Sequence, residues 1–130
     1  FGGNPVSCAI GDAVLNVLEE EQLQQNSKTV GNYYLQELTR LQQKLECIGD
    51  VRGSGLFIGF EFVKDRITLE PDTELAQKVK NQLREKFILV STDGPFDNVI
   101  KSKPPLCFSK ENVDEVIFAI EKILIENKVK

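Results

Sequence analysis

The chain has 130 residues, of which 41% are hydrophobic and 28% charged, and its formal net charge at pH 7 is -4. This length suits one ordinary domain, and the hydrophobic fraction is large enough for one continuous core. The negative charge argues against a nucleic-acid partner or an anionic membrane, because either would bind against net repulsion. No segment has the length of a membrane span or the form of a signal peptide, so we expect a soluble, cytoplasmic protein.

The sequence contains three cysteines and no histidine. Cys8, Cys47 and Cys107 are widely spaced and lack the paired spacing of a zinc or redox motif, so we expect buried free thiols in a reducing compartment. The lack of histidine removes the commonest general base and the commonest metal ligand. We therefore predict no metal site, and any chemistry must use other groups.

Two helices are predicted at the start of the chain. The first begins at Pro5, because Asn4 can cap the free backbone donors and proline is tolerated at the first helical position. Its apolar residues recur at helical spacing: Val6, Ile10, Ala13, Val14, Val17 and Leu18. A break is expected at residues 24–26. The second helix starts at Ser27, and one side of it is apolar: Val30, Tyr34, Leu35, Leu38, Leu41 and Leu45.

The apolar spacing then changes to every second residue, which predicts an antiparallel hairpin. Residues 47–55 combine short apolar residues with three glycines, a pattern typical of a short strand and a tight turn. The strand that follows has apolar even positions: Leu56, Ile58, Phe60 and Phe62. Residues 53–59 superficially resemble a dinucleotide-binding loop, but a strand and not a helix follows them. Their glycines are therefore expected to serve a turn with positive φ and close backbone packing.

The second half of the chain alternates between the two spacings. A third helix is predicted from residues 71–73, with an apolar side of Leu75, Ala76, Val79, Leu83 and Phe87. Short strands are predicted at residues 88–90 and 99–100, with a turn at 93–95 between them. Ser109 is expected to cap a last helix, whose apolar side is Val113, Val116, Ile117, Ile120, Ile123 and Leu124.

This order of elements predicts the fold class. It favours an α+β domain over residues 1–130, in which a small, mostly antiparallel sheet is covered on one face by helices. The glycine pair before Asn4 stands directly before a helix start, where backbone donors and the helix dipole favour an anion. A plain N-terminal loop is the other interpretation, and the residues alone leave both open.

Three motifs, in this order, resemble the class III aminotransferase family. They are Phe-Gly-Gly-Asn-Pro with Ser-Cys-Ala-Ile-Gly within residues 1–11, Val-Arg-Gly-Ser-Gly-Leu-Phe-Ile-Gly at 51–59, and Lys-Pro-Pro-Leu at 103–106. The resemblance implies the C-terminal small domain of a homodimeric pyridoxal-phosphate enzyme, with residues 1–25 as the helix that joins it to a large domain. It places Phe1, Gly2, Gly3 and Asn4 next to the cofactor.

The resemblance also implies that the catalytic lysine lies upstream of this chain. We therefore expect the isolated chain to contain no catalytic residue, to bind no cofactor and to be inactive. The family usually carries an arginine shortly before Pro-Pro-Leu, where it receives the substrate carboxylate as a bidentate partner. Lys101 stands at that position here, and a lysine suits phosphate at least as well as carboxylate. Lys101 and Arg52 are the predicted substrate-binding residues, and for Arg52 we favour structural support, bracing the domain interface, over direct contact with the substrate.

The sequence of residues 90–95 and 98–108 most resembles the branch of the family that contains ethanolamine-phosphate phospho-lyase and phosphohydroxylysine phospho-lyase. The resemblance thus implies an enzyme that acts on an amine, as a phospho-lyase that eliminates phosphate and ammonia from a phosphorylated amine. An ordinary ω-amino-acid transaminase and a non-catalytic α+β ligand-binding or regulatory module are the alternatives. From the residues alone, Lys101 and Lys103 could also be part of a solvated strand face.

Overall fold

A computed structural model describes residues 2–127 of the chain. Its helices are α1 (Pro5–Glu20), α2 (Leu23–Lys44), α3 (Thr73–Glu85) and α4 (Lys110–Glu126). Its strands are β1 (Ile48–Ser54), β2 (Phe57–Asp65), β3 (Glu70–Pro71), β4 (Ser91–Asp93) and β5 (Val99–Ser102). No helix within the described range has both the length and the apolar character that a membrane crossing requires.

The strands form one antiparallel sheet in the order β1-β2-β5-β4, and β3 pairs with the end of β2. Helices α2, α3 and α4 pack on one face of this sheet and bury its apolar side chains: Ile48, Ile58, Phe60, Phe62 and Ile100. The predicted α+β fold, with an antiparallel sheet under helices, is confirmed. The core lies between that face and the three helices.

The caps and apolar sides of the later helices agree with the sequence. Asp72 caps α3 by accepting a hydrogen bond from the backbone N–H of Leu75. Ser109 and Asn112 form a capping box at the start of α4. All six predicted apolar positions of α4 are buried, because the helical spacing turns them to the sheet.

Three predicted boundaries are wrong. The first break lies at Gln22, whose φ of 51° is left-handed, so α2 begins four residues before Ser27. The strand predicted at residues 88–90 is found instead at Ser91–Asp93, as β4, because those are the residues that pair with β5. Phe87 does not belong to α3, since that helix ends at Glu85 and Phe87 is 95% exposed with a φ of 62°.

The cysteine prediction is correct only in part. All three thiols are free, and Cys47 is buried, but Cys8 and Cys107 are exposed. Cys8 is exposed because α1 buries none of its residues, and Cys107 lies in the loop that follows the proline pair.

Helix α1 leaves its apolar stripe uncovered within the described part of the chain. Val6 and Ile10 are 68% and 60% exposed, and Val14 and Val17 are also exposed. Among the described elements, α1 contacts only α2. Asn4 nevertheless caps it, with Oδ1 2.9 Å from the N–H of Val6, as the sequence predicts.

We expect α1 to open readily in the isolated 130-residue chain. A helix of this length is marginal in water without packing, and local opening is easiest where few apolar contacts hold an element. Amide hydrogen exchange should therefore be fast across Pro5–Glu20 and slow across α2 and α4. Equal protection of α1 and α4 would contradict this expectation.

Candidate functional site

The candidate site lies on the sheet face that the helices leave open. Strand pairing sets Arg52 opposite Gly59, and Gly59 opposite Lys101. Residues directly opposite each other in antiparallel strands project to the same face. That face is opposite to the one where Ile58 and Ile100 are buried, because neighbouring residues of a strand alternate. Arg52, Gly59 and Lys101 thus form a line across the sheet, called the open-face row below.

Gly59 adds no side chain of its own to the middle of the open-face row, which is bordered by Val99: a Cβ atom at residue 59 would lie 3.3 Å from Cγ1 of Val99. Arg52 and Lys101 are two strand spacings apart, which is about 10 Å between their Cα atoms. A surface cavity of about 390 Å³ is lined by the whole row together with Phe57, Ile58, Asp93, Gly94 and Val99. The space between the two cationic side chains is therefore open to a small anionic group.

Two carboxylates hold the Arg52 guanidinium. It forms an ion pair with Asp50, and its Nη1 lies 3.3 Å from Oε2 of Glu61. The hydrogen bond to Asp50 is the main cause that raises the pKa of Arg52 above its ordinary value, and Glu61 adds to it. Glu61 is in turn held by Asn98, which is 1% exposed and whose Nδ2 donates a hydrogen bond to Oε1 of Glu61 at 3.1 Å.

Lys101 is held by Asp93, at the end of the neighbouring strand. The Lys101 ammonium donates to Oδ2 of Asp93, while the backbone N–H of Gly94 donates to Oδ1 at 2.8 Å. The Lys101 hydrogen bond is the largest cause, and the Gly94 hydrogen bond the next, that lowers the pKa of Asp93. Both oxygens of this carboxylate are therefore engaged on the open face.

Lys103 lies at the same end of β5 but makes a different contact. Its Nζ sits 4.7 Å from the ring centroid of Phe57, which is exposed. This is cation–π geometry, and Lys103 itself lines a different surface cavity, beside Pro104 and Pro105.

The turn that carries β1 into β2 is pressed against α2. Gly55 has a φ of 54°, and Oγ of Ser27 accepts a hydrogen bond from the N–H of Leu56 at 3.2 Å. A Cβ atom at Gly31 would lie 2.0 Å from the carbonyl oxygen of Gly55. The glycines therefore serve a positive-φ turn and close backbone packing, as predicted, and this packing fixes the strand that carries Arg52.

A second anchor holds the Pro-Pro-Leu segment that follows β5. The side-chain amide of Asn26 donates to the carbonyl oxygens of Leu106 and Phe108, at 2.7 and 3.0 Å. These bonds tie the segment after Lys101 to the first turn of α2. Both flanks of the candidate site thus rest on the same helix.

The predicted cofactor-side residues are not brought to the open-face row. Phe1 lies outside the described residues. Gly2 and Gly3 are exposed, and a Cβ atom at either would meet nothing within 4 Å. Asn4 occupies the free N–H groups of Val6 and Ser7 as the cap of α1. Within the described range, the backbone N–H groups of Gly2 and Gly3 are then left to bind an anion. They could form the edge of a phosphate site but not a complete phosphate site.

Comparison with known proteins shows what this chain is similar to. The family model described as Aminotransferase class-III matches residues 1–124. An alanine–glyoxylate aminotransferase 2-like protein of Drosophila melanogaster is 54% identical over 125 residues, which cover 95% of this chain and 25% of that protein. Ethanolamine-phosphate phospho-lyase homolog 1 of Caenorhabditis elegans is 46% identical over 125 residues, covering 95% and 27%. The chain therefore spans about a quarter of the length of these curated relatives.

Solved structures agree on the fold. A phospholyase from Arthrobacter in complex with phosphoethanolamine matches with a TM-score of 0.90 and 36% identity, over 95% of this chain and 29% of that one. A Bacillus anthracis aminotransferase matches with a TM-score of 0.89 and 32% identity, over 97% and 29%. An amine transaminase from an uncultivated Pseudomonas species, in a PLP-bound form, matches with a TM-score of 0.83 and 31% identity, over 95% and 28%. Both lyases and transaminases therefore share this unit.

Proposed function

The chain belongs to the class III aminotransferase family, and from that premise we propose that it is the C-terminal small domain of a pyridoxal-phosphate enzyme that acts on a phosphorylated amine. The observation that carries the proposal is the pair of cationic side chains, Lys101 and Arg52, on either side of Gly59 on one open face. A phosphate monoester carries close to two negative charges at neutral pH and has three acceptor oxygens. Its oxygens can therefore accept hydrogen bonds from Lys101, while the positive charge of Arg52 stands on the same face.

The residues present indicate which roles in the proposed enzyme belong to this chain and which belong to the cofactor. Pyridoxal phosphate, when bound, supplies an electron sink for the substrate carbon next to the amine. We place the cofactor's lysine in a part of the intact protein outside this chain, and Phe1, Gly2, Gly3 and Asn4 at the cofactor's edge. Lys101 would bind the opposite, anionic end of the substrate and so orient the amine. Arg52, held by its two carboxylates, would fix the wall of the site.

The identity of the cation supports phosphate as the bound group. Lysine presents a compact charge with three donors on a flexible stem, whereas a planar carboxylate is best met by the rigid fork of arginine. Lys101 therefore favours a tetrahedral phosphate. The cavity beside it is also open enough for such a group, at about 390 Å³.

An ω-amino-acid transaminase is the second candidate function. It is supported by the relative with 54% identity, whose name is that of an aminotransferase-like protein. The same face would then receive a substrate carboxylate in place of a phosphate. Lys101 would be used in both cases, so the substrate and not the residue separates the two candidates.

We further propose that α1 joins this domain to the remainder of a homodimeric protein. Its exposed stripe, which includes Val6, Ile10 and Val14, is of the kind that is covered in an assembled protein. The non-catalytic module remains a weaker alternative. It predicts that the 130-residue chain alone binds a ligand, whereas our proposal predicts that it shows no yellow cofactor absorbance and no turnover.

The test uses the intact protein loaded with cofactor and two substrates of matched amine chain, phosphoethanolamine and β-alanine. We expect inorganic phosphate and ammonia to be released from phosphoethanolamine without any keto-acid acceptor. Amino-group transfer from β-alanine should be slow even with an acceptor present. If the protein turns over β-alanine but not phosphoethanolamine, and only when a keto acid is present, the transaminase is supported and the lyase is rejected.

A further inference from the structure

Lys101 already has an anionic partner before any substrate arrives. Its ammonium donates to Asp93, and the Lys101 side chain is 27% exposed while that of Asp93 is 58% exposed. Gly94 orients the carboxylate through its backbone N–H, 2.8 Å from Oδ1. A carboxylate fixed in this way on the strand next to Lys101 competes for the ammonium within the same molecule, so its effective concentration is high.

The charges of the whole open face show why this contact matters. The two cations of the open-face row meet three carboxylates, those of Asp50, Glu61 and Asp93. Arg52 is shared by two of them, and one of these is anchored by the buried amide of Asn98. Asp93 is exposed, and of these three carboxylates it is the one that pairs with Lys101. It is therefore the carboxylate that an incoming anion can replace with least disturbance.

Building on the proposed function, we propose that Asp93 is an internal competitor for Lys101, which occupies the ammonium when the anion site is empty and is displaced when the substrate phosphate binds. When free phosphate is the product, return of the Asp93 carboxylate to Lys101 assists its departure. Asp93 is thus a positioning residue, and it limits how tightly the site retains an anion.

The experiment measures inhibition by inorganic phosphate in the intact, cofactor-loaded protein, with phosphoethanolamine as substrate. The variants are Asp93→Asn, Lys101→Ala and the double variant. Asparagine keeps the shape of Asp93 and an oxygen for the Gly94 N–H, but it removes the charge and replaces the oxygen that accepts from Lys101 with an NH2 donor. Asp97→Asn is the matched control, because Asp97 is an exposed carboxylate of the same turn that joins none of the open-face ion pairs.

Asp93→Asn should lower the inhibition constant of phosphate by about twofold to fivefold, the size expected for removal of a partly exposed ion-pair partner. Lys101→Ala should raise that constant. In the Lys101→Ala background, Asp93→Asn should then change it by less than about twofold, because the ammonium for which Asp93 competes has been removed.

The outcomes separate this inference from the proposed function. If Lys101→Ala weakens phosphate inhibition but Asp93→Asn does not change it, the internal competitor is wrong and the proposed function stands. Equal effects of Asp93→Asn with and without Lys101, or equal effects of Asp97→Asn, would show general repulsion and reject the competitor. If neither Lys101→Ala nor Asp93→Asn changes inhibition, both proposals fail.

Discussion

Gly31→Ala is expected to lower the free energy of unfolding of the chain by about 1–3 kcal/mol, the usual cost of added volume in a packed site. The new Cβ atom would lie 2.0 Å from the oxygen and 2.3 Å from the carbonyl carbon of Gly55. These are backbone atoms, and they cannot turn aside as the end of a flexible side chain could. Helix α2 would have to move away from the β1–β2 turn.

The measurement is urea unfolding of the 130-residue chain, and the quantity compared is the urea concentration at the midpoint of the transition. Gly11→Ala is the control, because Gly11 lies in α1 and a Cβ atom there meets nothing within 4 Å. Alanine at that helical position should be neutral or stabilising by up to about 1 kcal/mol. A midpoint for Gly31→Ala that equals the wild-type value would show that α2 does not rest on this turn.

Lys101→Ala in the intact protein is expected to weaken binding of the phosphorylated amine by about tenfold to a hundredfold, while cofactor affinity changes by less than about twofold. The substrate phosphate loses its ammonium partner, the group that Asp93 holds when the anion site is empty.

The measurement is the dissociation constant of phosphoethanolamine beside that of the cofactor, both read from the cofactor absorbance. Lys64→Ala is the matched control, since Lys64 is also an ion-paired lysine, 2.7 Å from Glu70, but lies at the far end of β2. It should change neither constant. Equal losses for substrate and cofactor with Lys101→Ala, or no loss at all, would remove Lys101 from the substrate site.

The fold was predictable where a single element carries its own signal. The apolar spacing of α4 and the alternation of β2 both describe a face that must be buried, and the structure buries them. The strand at residues 88–90 was wrong because its apolar residues indicate burial but not pairing. Backbone hydrogen bonds to β5 place the strand at Ser91–Asp93 instead, and no local pattern reports them.

The candidate site was predictable in its cations but not in their surroundings. The motifs singled out Arg52 and Lys101 separately, and only the register of three strands sets them on one face. The roles of Glu61, Asp93 and Asn98 were missed, because each depends on contact with a residue of another strand or turn. Alternation along β2 could have set Glu61 on the face of Gly59, but the other two give no such signal.

The role of Gly31 was also invisible in the sequence. It stands inside an amphipathic helix, where a glycine is simply a weak helix former. Its necessity arises from the turn at Gly55, which is distant in the chain and reaches it only in the folded domain. Contacts of this kind follow from tertiary packing and not from spacing.

The most direct measurement is a crystal structure of the intact, cofactor-loaded protein with phosphoethanolamine bound. A phosphate oxygen should lie about 2.7–2.9 Å from Nζ of Lys101, the usual length of a charge-assisted hydrogen bond, with Asp93 moved off the ammonium. A phosphate group bound away from the open face, while Lys101 still pairs with Asp93 as it does here, would contradict the role that we give to this domain.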